Sequence, residues 1–207
     1  MWEKYKKTID MLHIGCLFAN GDRKKNMEQK VPLCVDLDGT VVYGDMSLRS
    51  FISYIKFNPL RIFRVLWWHR LGRAYTKYKL CKHYSFDCSK LRYIPQTLEF
   101  IRQERLKGRR IYLCTGSNVL IAHRISRHLG LFDDVFATYV KKNFVGRNKA
   151  AVLVKAFGEK GFDYVGNAMV DLKVWEHARM AVVVNASPAV EKKALEMFGT
   201  ERVKVLK

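Results

Sequence analysis

The stretch Val31-Pro-Leu-Cys-Val-Asp-Leu-Asp-Gly-Thr-Val-Val42 constrains this chain more than any other. An apolar run climbs to two carboxylates, Asp36 and Asp38, one residue apart, and Gly39 and Thr40 follow at once. A run of this length bounded by Gly reads as a buried strand. Side chains alternate along a strand, so Asp36 and Asp38 are expected on one side of it. Two neighbouring acids on an apolar strand are costly to bury without a cation or a shared proton. Asp-Gly alone does no more than end a strand in a turn. The whole Asp-Leu-Asp-Gly-Thr sequence points further, to a ligand site, because open α/β sheets bind ligands where their strands end.

At 207 residues, with 49% hydrophobic content, the chain is long enough for one full domain with its own core. No uninterrupted apolar stretch approaches membrane-spanning length. The opening Met-Trp-Glu-Lys-Tyr-Lys-Lys carries charges without an apolar segment and a small-residue cleavage site, so no signal peptide is expected and the location reads as cytoplasmic. Five cysteines are scattered without Cys-x-x-Cys spacing. Cys34 and Cys114 fall in apolar runs, where Cys acts as a small hydrophobe, which fits a reducing compartment. Lys and Arg number 38 against 19 Asp and Glu, a net charge of +19. That balance favours anionic partners: a phosphorylated small molecule or phosphoprotein, or an anionic membrane surface. Nucleic acid is disfavoured, since no nucleic-acid motif accompanies the charge. Oligomeric state is not legible.

Residues 1–30 read as an N-terminal extension, with a helical stripe of Ile9, Leu12, Cys16 and Leu17 and a polar linker from Asn20 to Asn26. After the first strand Ser47 is placed to cap a helix carrying Leu48, Phe51, Ile52 and Ile55. Asn58-Pro59 starts another whose apolar line is Leu60, Phe63, Leu66 and Trp67, and a third helical stretch is expected from Arg73 through Tyr84. Between Met46 and Tyr93 the only acid is Asp87, against eleven Lys and Arg. This is a basic, aromatic helical insert at about residues 44–93; a solvated face over an ordinary aromatic core would read the same way. Strands then alternate with helices: a helix from Pro95 to a stop near Gly108, a strand at Ile111–Thr115, a helix closed by Gly130, and a strand at Val135–Tyr139. A helix at Asn148–Phe157, strands at Phe162–Gly166 and Met180–Val184, a helix at Ala189–Phe198 and an edge strand at Val203–Leu206 complete the chain. This rhythm argues for a parallel sheet with helices on both faces.

Three apolar runs end in polar residues: Asp36 and Asp38, Thr115, and Asn167 with Asp171. Parallel strands place these ends on one edge, and Lys149 opens a helix near it. Two carboxylates, a hydroxyl, an ammonium and a further acid suit phosphoryl transfer: a carboxylate nucleophile, an acid that protonates the leaving oxygen, and donors for the phosphoryl oxygens. Val35-Asp-Leu-Asp-Gly-Thr40, Thr115, Lys149 and Gly166-Asn-Ala-Met-Val-Asp171 resemble the four ordered motifs of haloacid dehalogenase (HAD) superfamily phosphatases, over about residues 31–206. The wording Phe162-Asp-Tyr-Val-Gly-Asn and Val183-Val-Asn-Ala-Ser187 is most similar to the HAD domain fused ahead of a membrane prenyltransferase in some bacterial proteins.

The resemblance implies a Rossmannoid three-layer α/β sandwich over residues 31–207, with a central parallel sheet and a small helical cap inserted after the first strand. It implies a Mg²⁺-dependent phosphatase in which Asp36 is nucleophile and metal ligand and Asp38 is general acid/base, its main-chain carbonyl a second ligand. Thr115, Gly116 and Lys149 would hold the phosphoryl group, and Asn167 and Asp171 would complete the metal site. Superfamily dehalogenases lack the second Asp and transport ATPases have Lys after the nucleophile, so Leu37-Asp38 favours a phosphatase or phosphotransferase. Family members usually carry Asp where this chain has Asn167. Three readings follow: Asp171 moves in as ligand, the metal binds more weakly, or the protein is a phosphate-binding relic. The alternative function is therefore a catalytically weak module that binds anionic partners through its basic cap.

Overall fold

The computed structural model describes residues 30–140 and 143–207; the expected helical stripe from Ile9 to Leu17 and the linker after it lie outside the described residues. Strands β1 (Leu33–Val35), β2 (Ile111–Asn118), β3 (Asp134–Thr138), β4 (Asp163–Gly166), β5 (Ala181–Val184) and β6 (Val203–Leu206) form one sheet. Its order is β3-β2-β1-β4-β5-β6. Every pairing is parallel. The chain builds outward from β1 to β3, then returns to lay β4 on the other side of β1. The strand order therefore reverses between β1 and β4, and a crevice opens at their carboxyl ends.

Alternation along the strands sends side chains into two cores. Leu33, Val35, Ile111, Leu113 and Val165 face one layer, where helices α4 (Pro95–Leu106) and α5 (Val119–Leu129) bury Ile101, Ile121 and Ile125. Cys34, Cys114 and Tyr164 face the other, closed by α6 (Arg147–Phe157), the short α7 (Leu172–Trp175) and α8 (Pro188–Phe198) through Leu153, Trp175 and Ala194. The middles of strands buried on both faces are apolar, which is why they read as continuous runs. Trp175 is fully buried and its Nε1 donates to the Tyr164 carbonyl at 2.9 Å. Helix limits follow the local chemistry. Pro opens α4 and α8, Asn118 caps α5 by accepting from Leu120 N–H at 3.1 Å, and Gly130 closes it at φ 64°.

Three expectations change. The first strand is short and stops at Val35, so Asp36 and Asp38 sit in the loop beyond it rather than on one strand face. The helix α1 (Met46–Ile55) is capped by Asp45, not Ser47: its carboxylate accepts from Ser47 N–H at 2.6 Å and Leu48 N–H at 3.0 Å. The next helix, α2 (Arg61–Arg70), starts after an Asn58 turn and packs through Val65 and Trp68, leaving Leu60, Phe63, Leu66 and Trp67 exposed. With α3 (Arg73–Lys82) these helices form an insert holding a core of its own, Tyr54, Val65, Trp68 and Leu80.

The sheet edge opposite the crevice is tied by charge. Arg109, just before β2, donates to Glu104 at 2.6 Å, to Asp163 at the start of β4 at 2.6 Å, and to the Val31 carbonyl ahead of β1 at 2.7 Å. Arg179 takes both oxygens of Asp163, at 2.9 and 2.8 Å. Burial pushes the Glu104 carboxyl up, but hydrogen bonds from Lys107 and Arg109 outweigh it and hold it below the usual range. A depressed carboxyl contributes stability that is present above its unfolded value and lost as pH falls through the folded one. Glu104→Gln is therefore expected to lower the urea midpoint at neutral pH, with the difference from wild type shrinking below about pH 4. Asp163→Ala, which strips a buried carboxylate from two guanidinium groups, is expected to cost about 3 kcal/mol in the same measurement.

Candidate active site

The crevice between β1 and β4 gathers the polar residues of three strand ends. Asp36 follows β1 directly, and its N–H extends the ladder by donating to the Val165 carbonyl at 3.0 Å. Its carboxylate accepts from Lys149 Nζ, in the first turn of α6, at 2.8 Å. Lys149 also donates to the Tyr164 hydroxyl at 2.6 Å, and that hydroxyl donates to Asp171 Oδ1 at 3.1 Å. The other Asp171 oxygen accepts from the main-chain N–H of Asn167 and of Ala168, each at 3.0 Å. A buried hydrogen-bonded line thus runs Asp36, Lys149, Tyr164, Asp171, all but excluded from solvent. Gly166 is needed beside it, because a Cβ there would come within 2.7 Å of an Asp171 oxygen.

Burial pushes the Asp36 carboxyl up to about 7 in spite of Lys149, with Asp171 and Asp38 adding to the rise. Burial alone would lower Lys149, yet Asp36 and Asp171 hold it protonated. Burial, reinforced by the nearby acids, drives the Tyr164 hydroxyl well above its ordinary value, so it remains a donor.

Asp38 takes a different direction from Asp36. One oxygen accepts from Met46 N–H at 2.8 Å, at the start of α1; the other accepts from the Ser117 hydroxyl at 2.6 Å, with the Thr115 hydroxyl more distant at 3.5 Å. Burial raises this carboxyl, against the downward pull of Ser117 and the Met46 N–H. The intervening Leu37 is fully buried, which separates the two acids and lets each meet its own partners. Thr115 is buried where β2 breaks register, and its oxygen accepts from Ser117 N–H at 2.9 Å. Gly116 follows at the same register break in β2; its carbonyl accepts from Lys77 Nζ of α3 at 2.6 Å and from Thr138 at 2.8 Å, and a Cβ on it would strike Val145 at 2.8 Å.

Asn167 lies half-buried across from Thr40, whose hydroxyl donates to its amide oxygen at 3.2 Å. Gly39 has φ +76°, and a Cβ there would meet the Asn167 amide nitrogen at 2.2 Å, so the Gly of the first motif makes room for this amide. Asn185, itself left-handed at φ 46°, ties β5 to the same loop through its amide to the Gly39 carbonyl at 2.9 Å.

The donors near Asp36 are oxygens: its carboxylate, the Asn167 amide and the main chain of the first loop. That chemistry fits a hard divalent cation that keeps several waters, with less charge than a second carboxylate would supply. Both Asp171 oxygens accept hydrogen bonds here, one from Tyr164 and the other from the loop. Among the described residues no group of three or more His, Cys, Asp or Glu is arranged to hold a metal.

The structure thus brings Asp36, Asp38, Thr115, Gly116, Lys149, Asn167 and Asp171 to one edge. Sequence reasoning missed Ser117, Lys77, Tyr164 and Asn185. Ser117 was legible as a second hydroxyl in Thr-Gly-Ser, and Tyr164 as a polar head inside an apolar strand. Lys77 had no local signal, since it reaches the site only by packing of the insert.

A family model described as haloacid dehalogenase-like hydrolase matches residues 33–176. The uncharacterized protein y4nM of Sinorhizobium fredii (strain NBRC 101917 / NGR234) is 34% identical over 171 residues, covering 82% of this chain and 33% of that protein. The chain thus spans about a third of the length of this curated relative. Among solved structures, a protein with unknown function from Bordetella pertussis Tohama I superposes with TM-score 0.62 at 14% identity, over 85% of this chain and 97% of that one. A phosphoserine phosphatase in apo form gives 0.58 at 15% identity, over 86% and 94%. These two are likenesses of fold.

A carboxyl raised by folding contributes stability that is complete below its unfolded value and lost as pH rises through the folded one. In chelator-treated protein the part owed to Asp36 is expected to disappear between about pH 4 and the folded value of about 7. Urea midpoints of wild type and Asp36→Asn, compared across that window, should converge or cross in favour of the variant as pH rises. A difference that stays constant would contradict the assignment.

Proposed function

We propose that this chain, which belongs to the haloacid dehalogenase-like hydrolase family, is a phosphatase that cleaves phosphomonoesters through an aspartyl-phosphate. The observation that carries the reading is the separation of two neighbouring acids into two environments, Asp36 on Lys149 and Asp38 on Ser117 and the start of α1. One carboxylate is placed to attack and the other to exchange a proton.

Asp36 attacks the phosphorus, its carboxylate oxygen bonding as the ester P–O bond breaks. The leaving oxygen takes the proton of Asp38, whose raised affinity for protons suits that task. Water then attacks the phosphorus of the aspartyl-phosphate while the Asp38 carboxylate takes its proton, releasing phosphate and restoring Asp36. Lys149 and the Thr115 hydroxyl, with the main chain around Gly116, stabilise the charge on the phosphoryl oxygens. Tyr164 and Asp171 position Lys149 from behind. A cation of the Mg²⁺ type suits the oxygens of Asp36, Asn167 and the Asp38 main chain, and when bound supplies positive charge against the phosphoryl group. Asn167 supports a weak metal site with turnover retained, in preference to recruitment of Asp171.

The insert leaves the substrate class broad. Its aromatics suit an aryl phosphate such as phosphotyrosine, and Lys77 beside Gly116 suits an anionic leaving group of a small phosphometabolite. The resemblance to fused HAD domains, carried by Phe162–Asn167 and Val183–Ser187, accords with a relative that extends well beyond its matched third.

An aryl phosphate assayed with Mg²⁺ should be hydrolysed, and EDTA should remove the activity. Asp36→Asn is expected to abolish turnover, and Asp38→Asn to reduce it by about 10²- to 10⁴-fold. Asn167→Asp should lower the Mg²⁺ concentration needed for half-activity by roughly tenfold or more, since it adds a formal charge to the donor set. Hydrolysis equal in wild type and Asp36→Asn would sink the reading. Phosphate binding without turnover in wild type would favour the relic.

A further inference from the structure

We infer that the outer face of α2 is a docking surface for an anionic lipid bilayer. This goes beyond the hydrolase reading and does not depend on it. The helix has two apolar faces. Val65 and Trp68 turn inward onto Tyr54 and Leu80, and these four satisfy the insert's own core. The other face carries Leu60, Phe63, Trp67 and Leu71, at helical spacing, with Phe57 in the preceding turn and Leu66 alongside. All six are more than half exposed, from 55% for Leu71 to 82% for Phe57. Single exposed hydrophobes are ordinary, but a contiguous stripe of six marks a surface that meets something apolar.

Charge identifies the occupant. Exposed Lys56, Arg64 and Arg70 are interleaved with the stripe residues in sequence, Arg61 turns back onto Tyr54, and residues 46–86 contain no Asp or Glu at all. A second copy of this chain would set one wholly basic face against another, and the repulsion opposes pairing. A bilayer with anionic headgroups meets both requirements at once: large apolar side chains enter the acyl boundary and the arginines remain among the phosphates. Trp67 belongs at that interface, where an indole is amphipathic. The ten residues of α2 are about 15 Å long, enough to lie in the plane of a surface and too short to cross it. Among the described residues no helix is long and apolar enough to span a membrane. The inner side of the insert stays on the sheet edge, through Lys77 at Gly116 and through Ser47 beside Ser117 at 3.4 Å. Docking therefore uses a face the catalytic edge leaves free.

The test is flotation of the full chain with vesicles of phosphatidylcholine alone and of phosphatidylcholine with about one third phosphatidylglycerol. Binding is expected only to the anionic vesicles, falling as salt rises. Tryptophan emission should shift to the blue and be quenched by brominated acyl chains, and Trp67→Ser should remove both changes while Trp2, Trp68 and Trp175 remain. Phe63→Ser/Trp67→Ser should weaken binding by at least about tenfold with melting temperature and circular dichroism unchanged. No binding to anionic vesicles, or equal binding by the double variant, would overturn the proposal. So would self-association in sedimentation velocity that the double variant abolishes while vesicles stay unbound, which would assign the face to a second copy. Capture of an acidic protein through the stripe without vesicle binding would overturn it in the same way.

Discussion

The central constraint on this molecule is the contact between Asp36 and Lys149, a carboxylate and an ammonium 2.8 Å apart in a buried crevice. Neither ion is tolerable there alone. The surrounding chain responds to that fact. Tyr164 gives the ammonium a second acceptor and donates a hydrogen bond to Asp171, and Asp171 is in turn held by two main-chain N–H groups. Strands β1 and β4 and helix α6 meet at this line of charge, so the reversal of strand order and the site are one feature. Even so, burial leaves Asp36 with a raised affinity for protons.

The sheet is polar at both edges and apolar between them. At the far edge Arg109 and Arg179 converge on Asp163 and tie β1, β2 and β4 at their starts. At the near edge the same strands end in carboxylate, hydroxyl and amide. Two apolar layers fill the interval, so the strand starts are pinned while the strand ends carry the polar groups of the crevice. A rigid frame of this sort suits chemistry that depends on holding two acids apart by one buried leucine.

The insert has a different character. Its inner side touches the crevice through Lys77 and Ser47, its small core is self-contained, and its outer side combines bare aromatics with unopposed positive charge. Periodicity in the sequence locates an apolar line on α2 at Leu60, Phe63, Leu66 and Trp67. In the structure the packing belongs to Val65 and Trp68 instead. A helix with apolar residues on two sides offers two candidate cores, and period alone has no term that chooses between them.

The order of amino acids already contains the parallel α/β class, the run of helices and strands after Pro95, and the gathering of strand-end polar residues at one edge. Those follow from local propensity and from the alternation of buried strands with helices, which leave few topologies. Tertiary packing alone settles the rest. Asp36 and Asp38 are one residue apart in any reading, yet only the short β1 and the burial of Leu37 send them to Lys149 and to Ser117. Asn167 and Asp171 read as one ligand pair, yet only the closed loop shows Asp171 accepting from backbone N–H groups while Asn167 packs against Gly39. The physical reason is common to each case: a side chain's partner comes from distant parts of the chain, and burial makes that partner decide its charge and direction.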